Sequence, residues 1–291
     1  MAFQIDLLQQ AAAQYLQICK NLGEKDIKLS KNAVTQLNTL KDRSINHKRP
    51  NSDSFRQEAI QKPAEVLTKE TEVLESRQPT LSSGDKQKAL DELSSEILEN
   101  REFPIMFERA KNMVFGVGDI NASIMFVGEA PGADEDEAGE PFVGKAGQLL
   151  TKMIEAMGLQ RSLVYIANVV KYRPDMPEGS YGNRKPTPAE LTASRPYIVR
   201  QVEIIRPHVI VGLGATALEG LLDIPKVGIT RIRGKWHEFA GIPLMPTFHP
   251  AYLLRNPTIE AKRKVWEDLL EVMEKANMSI SEKQRRFFVK K

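Results

Sequence analysis

The chain has 291 residues, a formal net charge of +3 and a single cysteine, Cys19. One cysteine excludes intramolecular disulphides and any cysteine-held cluster or structural zinc site. No apolar run approaches the ~20 residues of a membrane-spanning helix, and the amphipathic start FQIDLLQQAAAQYLQI lacks a signal-peptide layout, so an intracellular location is expected.

In chain order, Gln4–Leu22 and Ser54–Leu74 carry helical periodicity. Between and after them, KDRSINHKRPNSDSF and SRQPTLSSGDKQK are polar and poor in apolar residues, which reads as linker or disorder. Residues 1–100 are therefore expected to form a helical and partly disordered extension, and Lys86–Glu99 a helix leading into the domain. Strands are predicted at Ser123–Val127, Val164–Val170, His208–Gly212 and Leu244–Thr247, and helices at Lys145–Met157, Pro188–Ile205, Ala215–Leu222 and Ile259–Lys275. Pro188 suits a first helical turn, with Thr187 as its N-cap. Alternation of this kind predicts a three-layer α/β/α fold around a central, mostly parallel four-stranded sheet. SEKQRRFFVKK then reads as a mobile basic tail within 277–291.

Charge is uneven along the chain: about −1 over residues 1–100, about −5 over 101–160 and about +9 over 161–291. A basic half around an acidic loop suits a protein that grips a phosphate backbone while acting on an uncharged base, although a mixed solvated surface has the same totals.

The densest chemistry lies in VGEAPGADEDEAGEPFVGKAGQLL, Val127–Leu150. Small residues at Gly128, Ala130 and Gly132 allow backbone N–H groups close to a ligand. Neighbouring carboxylates argue against a phosphate cradle and favour a planar, polar, uncharged ligand such as a nucleobase. In parallel sheets ligands bind beyond the carboxyl ends of strands, and Gly128–Gly132, Asn168 and His249 all fall at or just after a predicted strand end.

This segment resembles the first motif of the uracil-DNA glycosylase superfamily, specifically the iron–sulphur type called family four. YIANVVKYRP (Tyr165–Pro174), NRKPTPAEL (Asn183–Leu191), HVIVGLGATAL (His208–Leu218) and TFHPAYLLRNP (Thr247–Pro257) resemble its later motifs, in order. The resemblance covers roughly Asn112 to Glu271, within a glycosylase-like domain expected over 101–276. It implies a base-excision enzyme that binds uracil-containing DNA, expected as a monomer, with a protein partner for the N-terminal region left open.

The resemblance also implies roles. Phe142 stacks on a flipped base, where spacing alone favours an ordinary core phenylalanine. Asn168 presents a donor and an acceptor side by side, matching the edge of uracil at N3 and O4. His249 donates an N–H to the departing uracil O2. Glu129 lies against the base, and Glu135 and Asp136 match an acidic pair; which carboxylate handles water stays open. Asp134 and Glu137 read as solvated charges. Leu253 and Leu254 offer an apolar wedge for the vacated stack, one of them expected in the core, and Arg255 a phosphate contact. VGLGATA reads as a tight turn rather than a dinucleotide fingerprint.

One departure stands out. The cluster cysteines of the family align with Arg101, Pro104, Tyr172 and Ser194, so no iron–sulphur cluster, and no other cofactor or metal, is expected. A catalytically silent, DNA-binding relative is the rival reading, and a nucleotide-binding enzyme using GLGATA a third.

Overall fold

The computed structural model describes residues 81–100 and 107–288. The chain divides into two units, Met1–Val73 and Leu74–Lys291, and the described residues belong to the second. The helices expected at Gln4–Leu22 and Ser54–Leu74 lie outside the described residues, as do Arg101 and Pro104.

Six strands form one sheet in the order β1-β3-β2-β4-β6-β5. The four central strands are β2 (Ile124–Gly128), β3 (Tyr165–Asn168), β4 (Val209–Leu213) and β6 (Ile242–Thr247), and they pair in parallel. These are the four predicted strands. Two short antiparallel edges, β1 (Val117–Gly118) and β5 (His237–Phe239), extend the sheet beyond the expected four. At two and three residues, neither edge is long enough to show a period-2 signal.

The central strands are buried on both faces, and their alternation sorts side chains into two cores. Met125 and Val127 point into one cluster, Ile124 and Phe126 into the other. The first cluster is covered by α1 (Ser83–Glu99), α4 (Pro188–Ile205) and α5 (Ala215–Leu222), the second by α3 (Lys145–Ala156) and α8 (Ile259–Lys275). Helices on both faces of a parallel sheet make the α/β/α sandwich.

Two expected boundaries move. Helix α1 is not part of an extension: Leu90, Leu93 and Ile97, at helical spacing, are buried in the first core with Ile198 and Val202 of α4. The basic C-terminal segment is docked rather than mobile as far as Phe288. Gln284 lies in the short helix α9 (Glu282–Arg285); its carbonyl accepts from Trp266 Nε1 at 2.8 Å, and its side chain donates to Ala156 O at 3.0 Å. The Phe287 ring lies 5.0 Å from Trp266. Aromatic residues inside a charged run were the overlooked signal.

Helix α4 starts as its sequence dictates. Thr187 caps it, Pro188 takes the first turn, and the Glu190 carboxylate accepts from Thr187 N at 2.6 Å to close a capping box. Short helices α2 (Ala133–Ala138), α6 (Ile229–Ile232) and α7 (Pro250–Arg255) were not anticipated, being too brief for periodicity.

Candidate active site

Parallel register brings the strand ends together. Gly128 aligns with Asn168, Val127 with Gly212, and Leu213 with Thr247, so the loops after β2, β3, β4 and β6 leave one edge of the sheet. There they enclose a cavity of about 490 Å³, within the size range of small-molecule sites. Glu129, Phe142, Asn168, Thr216, His249 and Arg255 are among its lining residues.

Phe142 sits in the turn between α2 and α3 with φ +56°, a left-handed conformation that is strained for a non-glycine residue. Three contacts hold it there. The Glu135 carboxylate accepts from Val143 N at 3.0 Å and Gly144 N at 2.9 Å, and Arg161 donates to Pro141 O at 2.6 Å. Gly147 lets the Phe142 carbonyl approach so closely that any Cβ there would overlap it.

Glu135 also accepts from Gly132 N at 3.1 Å, giving three backbone donors on one carboxylate. It braces two loops, with three of its roughly four lone-pair sites taken by amides, and it also lines the cavity. Its neighbour Asp136 is buried and likewise accepts from backbone, Lys111 N and Asn112 N at 2.9 and 3.2 Å. Glu137 pairs with Lys111 at the surface.

Glu129 differs. Burial pushes its carboxyl above the ordinary range, while a hydrogen bond from the Thr216 side chain pulls the other way, followed by the charge of Lys185. Of the carboxylates at this edge it is the one that faces the cavity without a set of amide donors.

Asn168 ends β3 almost completely buried, and its Oδ1 has no hydrogen-bond partner. A buried, unpaired carbonyl oxygen is costly unless something else completes it. Gly128 serves this residue in an unexpected way. A Cβ on Gly128 would collide with Asn168 Oδ1 and meet Phe142 Cζ at 2.5 Å. The missing side chain thus makes room for the site's own groups, not only for a ligand.

His249 is the N-cap of α7, and its Nδ1 accepts from Ala251 N at 3.1 Å. An imidazole whose Nδ1 accepts carries its proton on Nε2 when neutral. Burial, then the charge of Arg255, lowers its pKa to about 4, so the ring is a neutral Nε2–H donor near pH 7. Gly214, at φ +89°, lets the β4–α5 turn press against the His249 loop: a Cβ there would lie 2.9 Å from His249 Cβ. Below that loop, Thr247 Oγ1 donates to Asp268 at 2.6 Å, and Arg233 forms a two-pronged ion pair with the same carboxylate.

The two leucines separate. Leu253 is buried in the second core at 5% exposure, which corrects its expected place at the DNA surface, whereas Leu254 is 47% exposed. Arg255 is exposed at the cavity edge. Thr216, Tyr252 and the Asn183–Lys185 loop also line the cavity and were not singled out from sequence. All three lie inside quoted motifs, HVIVGLGATAL, TFHPAYLLRNP and NRKPTPAEL, but their place at the cavity wall comes through tertiary packing.

Where the family's cluster ligands align, the described residues do not fit one. The Tyr172 ring stacks on Phe107 at 5.7 Å, and Ser194 is fully buried with its hydroxyl unpartnered. A phenol and an alcohol in an apolar setting are poor substitutes for thiolates. Among the described residues no group of three or more His, Cys, Asp or Glu is placed to hold a metal ion, and no helix is long and apolar enough to cross a membrane.

A doubly covered parallel sheet with a cavity at its carboxyl edge, lined by an aromatic, an amide and a neutral imidazole, defines an α/β protein with a ligand site at its strand ends. The sequence profile of the Uracil DNA glycosylase superfamily matches residues 115–270, and the chain belongs to that superfamily. It is 44% identical over 185 residues to a type-4 uracil-DNA glycosylase of Thermotoga maritima, covering 63% of this chain and 93% of that one. A type-4 uracil-DNA glycosylase of Archaeoglobus fulgidus is 43% identical over 178 residues, or 59% of this chain and 86% of the relative. A type-5 enzyme of Pyrobaculum aerophilum is 29% identical over 177 residues, 55% and 73% of the two chains.

Proposed function

We propose that this chain is a uracil-DNA glycosylase that hydrolyses the N-glycosidic bond of deoxyuridine in DNA, leaving an abasic site and free uracil. The observation that carries the reading is the convergence of Phe142, Asn168 and His249 on one cavity. Family membership and the identity to the type-4 enzymes supply the reaction class.

Each role follows from the side chain's chemistry. Phe142 stacks on the extruded base. The Asn168 amide accepts from N3–H and donates to O4; cytosine reverses that edge and is rejected. Departure of uracil places negative charge on O2, and the neutral Nε2–H of His249 stabilises it there, an effect worth about 3–4 kcal/mol at comparable oxyanion sites. Glu129, which lines the same cavity, positions water and stabilises positive charge on the departing sugar. Leu254 fills the vacated stack and Arg255 holds a flanking phosphate. Gly128, Ala130 and Gly132 shape the loop beneath the base. Leu253 and Glu135 are support for this machinery rather than contacts to DNA or water.

We infer that no iron–sulphur cluster takes part, because Cys19 is the sole cysteine and the aligned positions carry Tyr172 and Ser194. The domain spans about 81–288, acts as a monomer, and leaves residues before it to dock a protein partner inside the cell.

The test is incubation of purified protein with oligonucleotides bearing one uracil, single-stranded or opposite G or A, followed by alkali. Strand cleavage with release of free uracil is the expected result. Binding without cleavage would instead identify a silent relative.

A further inference from the structure

Lys171 is the largest charged side chain in the protein's core with no surface exposure at all among the described residues, and the proposed chemistry does not use it. It follows β3 by three residues and is held by oxygens from three segments. Its Nζ donates to Asn168 O at 2.7 Å, to Gln201 Oε1 on α4 at 2.6 Å, and to Phe115 O before β1 at 3.2 Å. The Phe115 ring lies 5.8 Å from the same nitrogen. An ammonium has three N–H bonds, and here each meets one oxygen.

No carboxylate takes part in this set. Burial pulls the Lys171 pKa down to about 7, and its three partners are neutral acceptors with no counter-charge among them. A methionine of similar length would occupy the space without the desolvation cost. The amine with its three hydrogen bonds therefore does something that packing does not.

Its placement shows what that is. Asn168 Oδ1 has no hydrogen bond of its own, so the direction of the amide depends on how its main chain is fixed. The peptide that follows it is held at its N–H by continuation of the β2–β3 pairing, with Val169 N donating to Gly128 O at 3.0 Å. The Asn168 carbonyl is taken by Lys171. Gln201 extends the grip, donating to Phe115 O at 3.0 Å and to the Tyr165 hydroxyl at 3.1 Å.

We propose that Lys171 is a positioning residue: it clamps the main chain of Asn168 from behind the sheet and thereby aims the amide that reads the base. The inference rests on the base-reading role given to Asn168 above. Site groups must be held to within about 0.5 Å, and misplacement by about 1 Å costs up to about 100-fold in rate.

The experiment uses the full chain with Lys171→Met and, beside it, Gln201→Leu, which removes one of the three acceptors. Single-uracil oligonucleotide is the substrate, and the Asn168 side-chain amide is followed by NMR in protein labelled with ¹⁵N-asparagine. Lys171→Met is expected to melt cooperatively, to shift or broaden the Asn168 amide signal, and to lower kcat about 10- to 100-fold with KM changed by no more than about twofold. Gln201→Leu is expected to move the same signal and lower kcat by a smaller factor. An Asn168 signal and kcat unchanged in Lys171→Met overturn the proposal. If that variant fails to melt cooperatively, an unchanged signal in Gln201→Leu overturns it equally. Wild-type protein releasing no uracil would sink the enzyme reading, and the amide signal alone would then decide this one.

Discussion

The rings of Phe142 and His249 lie with centroids 5.6 Å apart and planes 30° from parallel. They come from loops more than one hundred positions apart in sequence, one after β2 and one after β6. Both rings line the same cavity, as the proposed stacking and leaving-group roles require.

His249→Ala removes the Nε2–H donor and leaves the DNA-facing surface intact. Single-turnover uracil release is expected to fall about 10²–10³-fold, with affinity for uracil-containing oligonucleotide retained, as read by rapid quench and anisotropy. An unchanged cleavage rate would remove the imidazole from the mechanism.

The same residue sets an acid limit. Its pKa falls from the ordinary 6.5 to about 4 in the fold, so it stays neutral and competent through pH 5 and loses function as pH drops through about 4. The unfolded chain takes up this proton near 6.5 and the folded chain only near 4. Stability from the neutral ring is therefore complete above 6.5 and is lost progressively between 6.5 and 4, up to about 3 kcal/mol. Denaturation of wild type and His249→Gln between pH 4 and 7 checks this: the variant's stability should depend less steeply on pH.

Gly128→Ala adds one methyl where Asn168 Oδ1 and Phe142 Cζ already meet the backbone. Overpacking of this kind costs about 1–3 kcal/mol, and here the displaced groups are the site itself. Cleavage is expected to fall about 100-fold or more while the melting transition remains cooperative. Retained activity would mean that the amide and the ring have slack to move apart.

Glu129→Gln and Glu135→Gln separate a cavity carboxylate from a brace. Glu129→Gln should reduce kcat, by about 10²-fold or more, with little change in Tm. Glu135→Gln should lower Tm first, because an amide cannot satisfy Gly132, Val143 and Gly144 N–H together. The opposite pattern would hand water to Glu135.

Leu253→Ala and Leu254→Ala differ by one position and should differ in kind. The buried leucine is expected to lose about 2–5 kcal/mol of stability in denaturant titration. The exposed one should leave stability within about 0.5 kcal/mol and slow cleavage of duplex substrate more than single-stranded. Equal effects on duplex and single strand would remove the wedge.

Much of this molecule was legible in its residues. The four parallel strands and helices α4, α5 and α8 announce themselves because a doubly covered sheet demands uninterrupted apolar runs, and because amphipathic helices repeat over many turns. Thr187, Pro188 and Glu190 fix the start of α4 by local hydrogen bonding alone. So too Asn168 and His249 could be found as chemistry placed at strand ends, whereas Phe142 was pointed to only by the family resemblance.

What tertiary structure decided is which of several similar residues does which job. Glu129 and Glu135 are alike in sequence and both line the cavity, yet only Glu135 gathers three amide donors. Leu253 and Leu254 part company through the rotation of α7. The empty Cβ position at Gly128, the turn of Gly214 against His249 and the buried ammonium of Lys171 involve partners that are close only after folding. Short-range patterns in a chain carry secondary structure and burial; hydrogen-bond partners forty or a hundred residues away are fixed only when the sheet sets its register.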